Sequence, residues 1–251
     1  MMENNYSPTI FNITHIKSGS QWVRAVLTEC APKRIVIPKV GITQFYEDPL
    51  LTGAVYPALY IPYADFEKVL TQSPARQHPH IEFVVIRDLR DTLVSLYFSV
   101  KVSHPLIAKQ LVDERNALNG MTLEEGLSLL IQTRMDAVAD IQRSWLPVCK
   151  DGGALLVRYE DLLADEQAVF AKIVSHCQFN IPPQQLRDIV ARNSFENQTG
   201  RHKGEEDTSS HYRKGIVGDW RNVFSPKVVS EFKSRFGDVL IQTGYETDLD
   251  W

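Results

Sequence analysis

The sequence predicts an α/β fold in which helices cover both faces of a central parallel sheet. Three short apolar runs, 9–14, 81–86 and 154–158, have the length of strands, and longer amphipathic stretches separate them. Strands that alternate with helices form parallel sheets, because each helix returns the chain to the edge where the next strand begins. The run at 81–86 is almost wholly apolar, which is typical of a strand buried on both faces.

Apolar residues at helical spacing predict four helices, and a β-branched run predicts one further strand. The helices are predicted over 21–29, 91–100, 121–146 and 165–177, and the strand over 34–37, directly before Pro38. Asp88 or Asp91 can cap the second helix, because a carboxylate there accepts from the free N–H groups of the first turn. Thr122 and Glu125 form a capping-box signature at the start of the third helix.

Two segments show no regular pattern and are expected to be irregular. They are 41–62 and 197–220, and the second is rich in Gly, Ser, His and charged residues. A run of this composition is typical of a solvated surface loop. Because no internal repeat or low-complexity tract marks a linker, a single domain spanning residues 1–251 is expected.

Composition and charge exclude several classes of protein. Of the 251 residues, 27 are Lys or Arg and 31 are Asp or Glu, so the formal net charge is −4. A nucleic-acid-binding protein normally carries an excess of basic residues, so nucleic acid is not an expected partner. Three distant cysteines cannot all pair and show no CxxC spacing, which argues against a disulfide scaffold or a cysteine zinc site.

The first residues also bear on where the protein is found. Residues 1–8 are polar and have no secretory signal pattern, and no apolar run approaches the roughly 20 residues that span a bilayer. We therefore expect a cytoplasmic protein without a transmembrane segment. Nothing in the sequence indicates its oligomeric state.

The first motif that carries chemistry is THIKSGSQW, residues 14–22, between the first predicted strand and helix. A short Gly-containing turn there directs backbone N–H groups and a helix N-terminus at one point, which is a site for an anion. Lys17 adds a cation, and Ser18 and Ser20 add hydroxyl donors. The Walker A pattern GxxxxGK[ST] is absent, since the lysine precedes the glycine.

The second motif is IRDLRDTLVS, residues 86–95, which begins where the strand at 81–86 ends. Arg87 follows the carboxyl end of that strand, and ligands of parallel sheets bind at this edge. Its guanidinium matches the geometry of a phosphate. An alternative interpretation is a surface salt-bridge cluster of four charged residues, Arg87, Asp88, Arg90 and Asp91.

Two further motifs complete a resemblance to one family. They are LLVRYEDLLAD, residues 155–165, and RKGIVGDWRNVF, residues 213–224. With the first two, in this order and at these spacings, they resemble the sulfotransferases that use 3′-phosphoadenosine 5′-phosphosulfate (PAPS). The resemblance runs from about residue 10 to residue 224. It implies the P-loop-like fold of those enzymes and PAPS as co-substrate.

The resemblance also implies a role for each matching position. Lys17 would contact the sulfuryl group and its bridging oxygen, and Tyr159 would hydrogen-bond near the nucleotide. Trp22 and Phe195 would flank the adenine, although core packing is the usual fate of such aromatic residues. The 5′-phosphate would be held by Ser18, Gly19, Ser20 and Gln21. The 3′-phosphate would be held by Arg87, Ser95, Arg213, Lys214 and Gly215.

The sequence departs from the family at the general base. Cytosolic members carry a catalytic histidine in a Lys-Thr-His-Leu-Pro stretch, and the best local match is ALYIP, residues 58–62, which puts Tyr60 at the histidine. A tyrosine has a pKa near 10 and is a poor base unless nearby cations lower it. Other candidates for the base are Glu47, Asp48, His15 and His104.

The function implied is sulfuryl transfer from PAPS to a hydroxyl of a small-molecule or lipid-like acceptor. The acceptor pocket is expected from 45–63 and 100–118, which are rich in apolar and aromatic residues. No metal is expected, because no metal-ligand motif is found and cationic side chains can stabilise a sulfuryl group. Two alternatives are a nucleotide-binding protein that has lost its base and a P-loop kinase for small molecules.

Overall fold

The computed structural model describes residues 7–37 and 49–251. Its backbone contacts group these residues into two compact units. The first contains the residues up to Ile86 and Ser144–Ser194, and the second contains Arg87–Arg143 and Phe195–Trp251. The single domain expected from the sequence stays a prediction, and each unit is described by itself.

The first unit is built on a four-stranded parallel sheet. Its strands are β1 (Thr9–Thr14), β2 (Val55–Leu59), β3 (His80–Ile86) and β4 (Leu155–Arg158), in the spatial order β2-β1-β3-β4. In the register of the sheet, Thr14 lies beside Val85 and Ile13 beside Leu59. The carboxyl ends of β1, β2 and β3 therefore meet at one edge. The predicted α/β class, a parallel sheet flanked by helices, is confirmed.

The described residues form twelve α-helices, a 3₁₀ turn (Pro74–Gln77) and a π-helical turn (Ser99–Ser103). The helices are α1 (Ser20–Cys30), α2 (Tyr63–Thr71), α3 (Leu89–Phe98), α4 (Lys109–Asn119), α5 (Leu123–Thr133), α6 (Met135–Lys150), α7 (Tyr159–Ala164), α8 (Glu166–His176), α9 (Pro183–Arg192), α10 (Phe195–Thr199), α11 (Trp220–Val223) and α12 (Pro226–Gln242).

The core of the first unit joins the sheet to α1 and to the helices after β4. Val23 and Leu27 of α1 are fully buried in one cluster with Phe83 of β3 and Phe170 of α8. Full burial of such a side chain contributes about 1.5–3 kcal/mol relative to its exposure. This packing fixes the start of α1, and with it the loop that precedes the helix.

The predicted strand at 34–37 is wrong, and the second strand of the sheet lies within the segment expected to be irregular. Ile35 forms only an isolated bridge to Val55, while Val55–Leu59 pairs with β1. Pro57 hides this strand in the sequence, because proline cannot donate to a strand partner. It is tolerated here because β2 is an edge strand.

The long helix predicted over 121–146 is two helices. Arg134 leaves the helical conformation (φ −127°) between α5 and α6, and its guanidinium donates two hydrogen bonds, of 2.8 and 2.7 Å, to the Glu114 carboxylate. A break of one residue does not disturb the apolar spacing, which is why the sequence does not show it. The predicted capping box of Thr122 and Glu125 is confirmed.

Candidate active site

The loop after β1 has an unusual backbone. Lys17 adopts φ 64° and Gly19 φ 86°, both in the left-handed region that non-glycine residues rarely enter. Helix α1 begins at Ser20, directly after the loop. The free N–H groups of the first turn and the partial positive charge of the helix favour an anion at this point.

Hydrogen bonds inside the loop hold its shape. The Ser18 hydroxyl donates to the His15 carbonyl at 2.7 Å, and it lies 2.5 Å from the Thr14 hydroxyl. Thr14 in turn donates to the carbonyl of Val85 on β3. Ser18 is fully buried, and its hydroxyl stabilises the loop through these hydrogen bonds. The His15 side chain, a candidate base, is also fully buried.

Tyr159 packs against the loop at Gly19. A methyl group built on Gly19 would lie 2.8 Å from the Tyr159 ring, closer than real carbon atoms approach. Gly19 is thus required twice, by its backbone angle and by this contact. Two positions that the sequence resemblance assigns to the donor nucleotide therefore meet in the first unit.

Tyr60 reaches the same loop from the neighbouring strand. It follows β2 directly, and its hydroxyl lies 2.8 Å from that of Ser20, the first residue of α1. Burial raises the pKa of Tyr60 above its ordinary value, although the hydrogen bond with Ser20 and the charge of Arg24 act to lower it. Tyr60 is therefore a neutral phenol at physiological pH.

The two residues that follow Ser20 face different surroundings. Gln21 is exposed, whereas only 6% of Trp22 is exposed. The Trp22 ring meets that of Phe170 edge-on, with 5.5 Å between the ring centres. This is a core contact, and a role for Trp22 at an adenine stays a prediction.

In the second unit, the charged residues after β3 are buried. Arg87, Asp88, Arg90 and Asp91 are each at most 9% exposed, so the alternative of a surface salt-bridge cluster is wrong. The Arg90 guanidinium donates to both carboxylate oxygens of Asp88, and it lies 4.1 Å from the Trp220 ring centre. Arg87 donates to the carbonyl of Ile216 at 3.4 Å.

Asp91 fastens the segment after Lys214 to helix α3. Its carboxylate accepts from the backbone N–H groups of Gly218 at 2.6 Å and Trp220 at 3.0 Å. Burial raises the pKa of Asp91, and the charge of Arg87 and the two backbone hydrogen bonds only partly oppose it.

Asp219 joins the two cationic side chains of RKGIVGDWRNVF, residues 213–224, the RKG motif. Its carboxylate accepts from Arg213 and, at 2.9 Å, from Lys214. Burial acts to raise the pKa of Asp219, but the hydrogen bonds from these two cations and from Asn222 outweigh it, and the pKa is lowered. Arg213 also pairs with Glu206 and lies over the ring of Phe98.

Phe195 lies beneath the same motif. A methyl group built on Gly215, whose φ is 62°, would lie 2.8 Å from the Phe195 ring. Arg201 donates to the backbone carbonyls of Tyr212 and Arg213 at 2.5 and 3.0 Å. The segment expected to be a solvated loop is therefore held in place, and Phe195, Arg213 and Gly215 are brought together.

The remaining candidates are less informative. Ser95 is half-buried on α3, and His104 is half-buried after the π-helical turn. Glu47 and Asp48, with the first part of the expected acceptor segment, lie outside the described residues.

The sequence did not predict the contacts that four residues make at these motifs. These residues are Asp91, Asp219, Arg201 and Glu206. Asp91 and Asp219 stand inside the second and fourth motifs, where an acidic residue beside cationic ones was the only sequence signal for their contacts.

Across residues 7–37 and 49–251, no group of three or more His, Cys, Asp or Glu side chains could hold a metal ion. Within the same part of the chain, no helix is long and apolar enough to cross a membrane.

Comparison with known sequences gives the family. The profile of the sulfotransferase domain matches residues 7–244. A 3-alpha-hydroxysteroid sulfotransferase of Cavia porcellus is 27% identical over 265 aligned positions, which cover 94% of this chain and 84% of the relative. Sulfotransferase 2A1 of Homo sapiens is 26% identical over 255 positions, covering 92% and 78%.

Solved structures agree with the sequences on the fold. The mouse sulfotransferase SULT7A1 complexed with PAP has a TM-score of 0.67 and 19% identity, covering 95% of this chain and 88% of that one. A retinol dehydratase in complex with androsterone and the inactive cofactor PAP has a TM-score of 0.60 and 16% identity, covering 92% and 80%. The chain belongs to the sulfotransferase family, and its resemblance to the PAPS-dependent enzymes is confirmed.

Proposed function

We propose that this enzyme transfers the sulfuryl group of PAPS to a hydroxyl of a small-molecule or lipid-like acceptor by in-line displacement. The observation that carries the proposal is the loop between β1 and α1. Lys17 and Gly19 adopt left-handed backbone angles directly before the helix N-terminus, and Tyr159 packs on Gly19. This arrangement suits the 5′-phosphosulfate end of the donor.

In the first unit, Lys17 is the residue proposed to contact the sulfuryl group and its bridging oxygen. The phosphate next to it is assigned to Ser18, Gly19, Ser20 and Gln21. For Ser18 the contact is through its backbone N–H, because its hydroxyl is used inside the loop. Trp22 is proposed at the adenine, and Tyr159 is proposed to bond near the nucleotide.

In the second unit, a set of cationic and small residues is proposed to recognise the 3′-phosphate. The set is Arg87, Ser95, Arg213, Lys214 and Gly215, with Phe195 against the adenine. Support comes from the contacts that organise Arg213 and Lys214 around Asp219. That both sets serve one nucleotide rests on the order and spacing of the motifs in the sequence.

The chemistry follows from the charge of the transferred group. A loose in-line displacement, like phosphoryl transfer, needs mainly positioning and stabilisation of charge on the leaving oxygen. A sulfuryl group carries less charge than a phosphoryl group. We therefore propose that cationic side chains, Lys17 first among them, suffice without a metal ion.

The acceptor class is proposed from the segment that follows α3. Three apolar side chains there, Val102, Leu106 and Ile107, are 42%, 46% and 65% exposed. A contiguous exposed apolar patch marks a binding surface, and we propose that these three side chains form such a patch. Two sequence relatives are named as hydroxysteroid sulfotransferases, and the neighbour bound to androsterone holds a small apolar alcohol.

The cytoplasmic location and the absence of nucleic-acid partners stay predictions. The second rests on the net charge of −4. Neither affects the proposed chemistry.

The experiment is an acceptor panel. The protein is incubated with PAPS and a set of alcohols, phenols and hydroxysteroids, and release of 3′-phosphoadenosine 5′-phosphate (PAP) and sulfated product is quantified. The proposal predicts equal amounts of the two products with at least one apolar hydroxyl compound. PAP binding without product from any acceptor would instead indicate a nucleotide-binding protein that has lost turnover. Tight ATP binding without preference for a 3′-phosphate would favour a kinase.

A further inference from the structure

The geometry around Tyr60 raises the question of where the acceptor proton goes. The best local motif match puts Tyr60 where related enzymes carry a catalytic histidine, and its hydroxyl lies 2.8 Å from that of Ser20. The two residues come from adjacent elements, since Tyr60 follows β2 and Ser20 opens α1. Either hydroxyl can donate to the other, so the pair can pass a proton from Tyr60 to Ser20.

A phenolate at position 60 is disfavoured. Burial raises the pKa of Tyr60, and Arg24 is the charged residue that opposes this, through its positive charge. A free phenol already has a pKa near 10, so almost none is ionised at neutral pH. Little phenolate would be present to act as the base, and a route that keeps Tyr60 neutral is chemically easier.

We propose that Tyr60 and Ser20 form a proton relay from the acceptor hydroxyl to the 5′-phosphate of the departing PAP. This inference rests on the proposed function. As the acceptor oxygen bonds to sulfur, the bond from sulfur to the bridging phosphate oxygen breaks. The acceptor proton passes to the Tyr60 oxygen, the Tyr60 proton to the Ser20 oxygen, and the Ser20 proton to a phosphate oxygen of PAP.

The balance of the step leaves both side chains unchanged. One proton enters the relay from the acceptor and one leaves it to PAP, and no phenolate or alkoxide remains. The phosphate that receives the proton has a second pKa near 6, so it releases the proton to water at neutral pH. Ser20 suits the last position because it opens α1 directly after the loop, at a position that the motif assigns to this phosphate.

The test uses three variants with PAPS and the best acceptor of the panel. Tyr60→Phe and Ser20→Ala each remove one hydroxyl, and each is expected to lower single-turnover transfer by about 10²–10⁴-fold. The double variant is expected to be no slower than the slower single variant, because residues that act as a unit are not additive. Ser20→Thr keeps a hydroxyl and is expected to retain most of the rate.

Matched controls remove comparable hydroxyls elsewhere. Tyr245→Phe lies in the second unit and Ser175→Ala on the exposed face of α8, and both are expected to transfer at the normal rate. PAP affinity of every variant is measured by calorimetry. If the unaltered protein fails to bind PAP or to transfer at all, the proposed function fails, whatever the variants do.

Two measurements on the unaltered enzyme complete the test. In mixtures of H₂O and D₂O, a relay that moves several protons predicts a curved dependence of the transfer rate on deuterium content. The pH–rate profile is also expected to show no limb at the pKa of a histidine or a carboxylate. Normal turnover of Tyr60→Phe, rate losses that multiply in the double variant, or a limb near pH 6.5 or pH 4 would each overturn the relay.

Discussion

The carboxylate of Asp91 accepts a 3.0 Å hydrogen bond from the backbone N–H of Trp220, 129 residues further along the chain. A second bond, from Gly218, makes this carboxylate a two-point anchor for the middle of the RKG motif. Arg213 and Lys214 bind Asp219, which stands between the two anchored N–H groups. The position of the motif's cations therefore depends on a residue of helix α3.

Removing this anchor is expected to cost both stability and binding. Asp91→Ala leaves two backbone N–H groups without their acceptor, and a hydrogen bond to a charged group contributes about 1.5–3 kcal/mol. The free energy of unfolding in urea should fall by about that amount, and PAP affinity should fall more than the affinity for adenosine 5′-phosphate. The control is Asp113→Ala, which removes an exposed ion pair with Lys109. Equal stability of the two variants would contradict the anchor.

Asp219 is expected to make the free energy of unfolding depend on pH in the acidic range. Its pKa is lowered in the folded state, so the unfolded state binds a proton first as the pH falls. Its contribution is complete above the ordinary carboxyl pKa of about 4 and is lost as the pH falls through the lower folded value. Unfolding measured between pH 7 and pH 2.5 should show a smaller slope for Asp219→Asn than for the unaltered protein. Identical slopes would show that Asp219 does not hold the two cations.

The 3′-phosphate assignment predicts selective losses. Arg87→Ala and Arg213→Ala should each weaken PAP binding by about 10- to 100-fold, while binding of adenosine 5′-phosphate changes little, because each removes a charge-assisted bond to the 3′-phosphate. Calorimetry with both nucleotides measures the difference. Arg187→Ala, an exposed arginine on α9, serves as the control. Equal losses for the two nucleotides would defeat the assignment.

Gly19 gives a test of the loop with a close control. Gly19→Ala places a methyl group against Tyr159 and also strains a backbone at φ 86°. Gly152→Ala imposes similar strain at φ 79°, with nothing within 4 Å of the new methyl group. Each should lose about 1 kcal/mol of stability from strain. Only Gly19→Ala should also lose PAP affinity, and a loss shared by both variants would remove the loop from the site.

The sequence predicted most of the sheet because most of its strands are apolar runs. The predicted ends of β1, β3 and β4 lie within one residue of the observed ends, and the turn before α1 marked the loop. β2 was missed because Pro57 interrupts it. The break at Arg134 was missed because apolar spacing continues across it.

The site was predictable only where its residues form a recognisable motif in the sequence. The loop, the arginine after β3 and the RKG motif could be named, but the contacts among them could not. That Tyr60 meets Ser20 depends on the register of β2 against β1, and β2 was not predicted. Burial of Asp91 and Asp219 likewise depends on packing between segments that are far apart in the chain.

Lys17 is the residue on which the account depends most. If its charge acts on the bridging oxygen as the bond to sulfur breaks, its removal affects the transition state more than donor binding. The control is Lys172→Ala, an exposed lysine on α8, which should behave as the unaltered protein.

The decisive measurement is single-turnover transfer by Lys17→Ala, with PAP and sulfated product quantified together and PAP affinity measured on the same sample. We expect transfer to fall by at least about 100-fold while PAP affinity falls only modestly. Transfer at the normal rate by Lys17→Ala would contradict the assignment of this loop as the centre of the reaction.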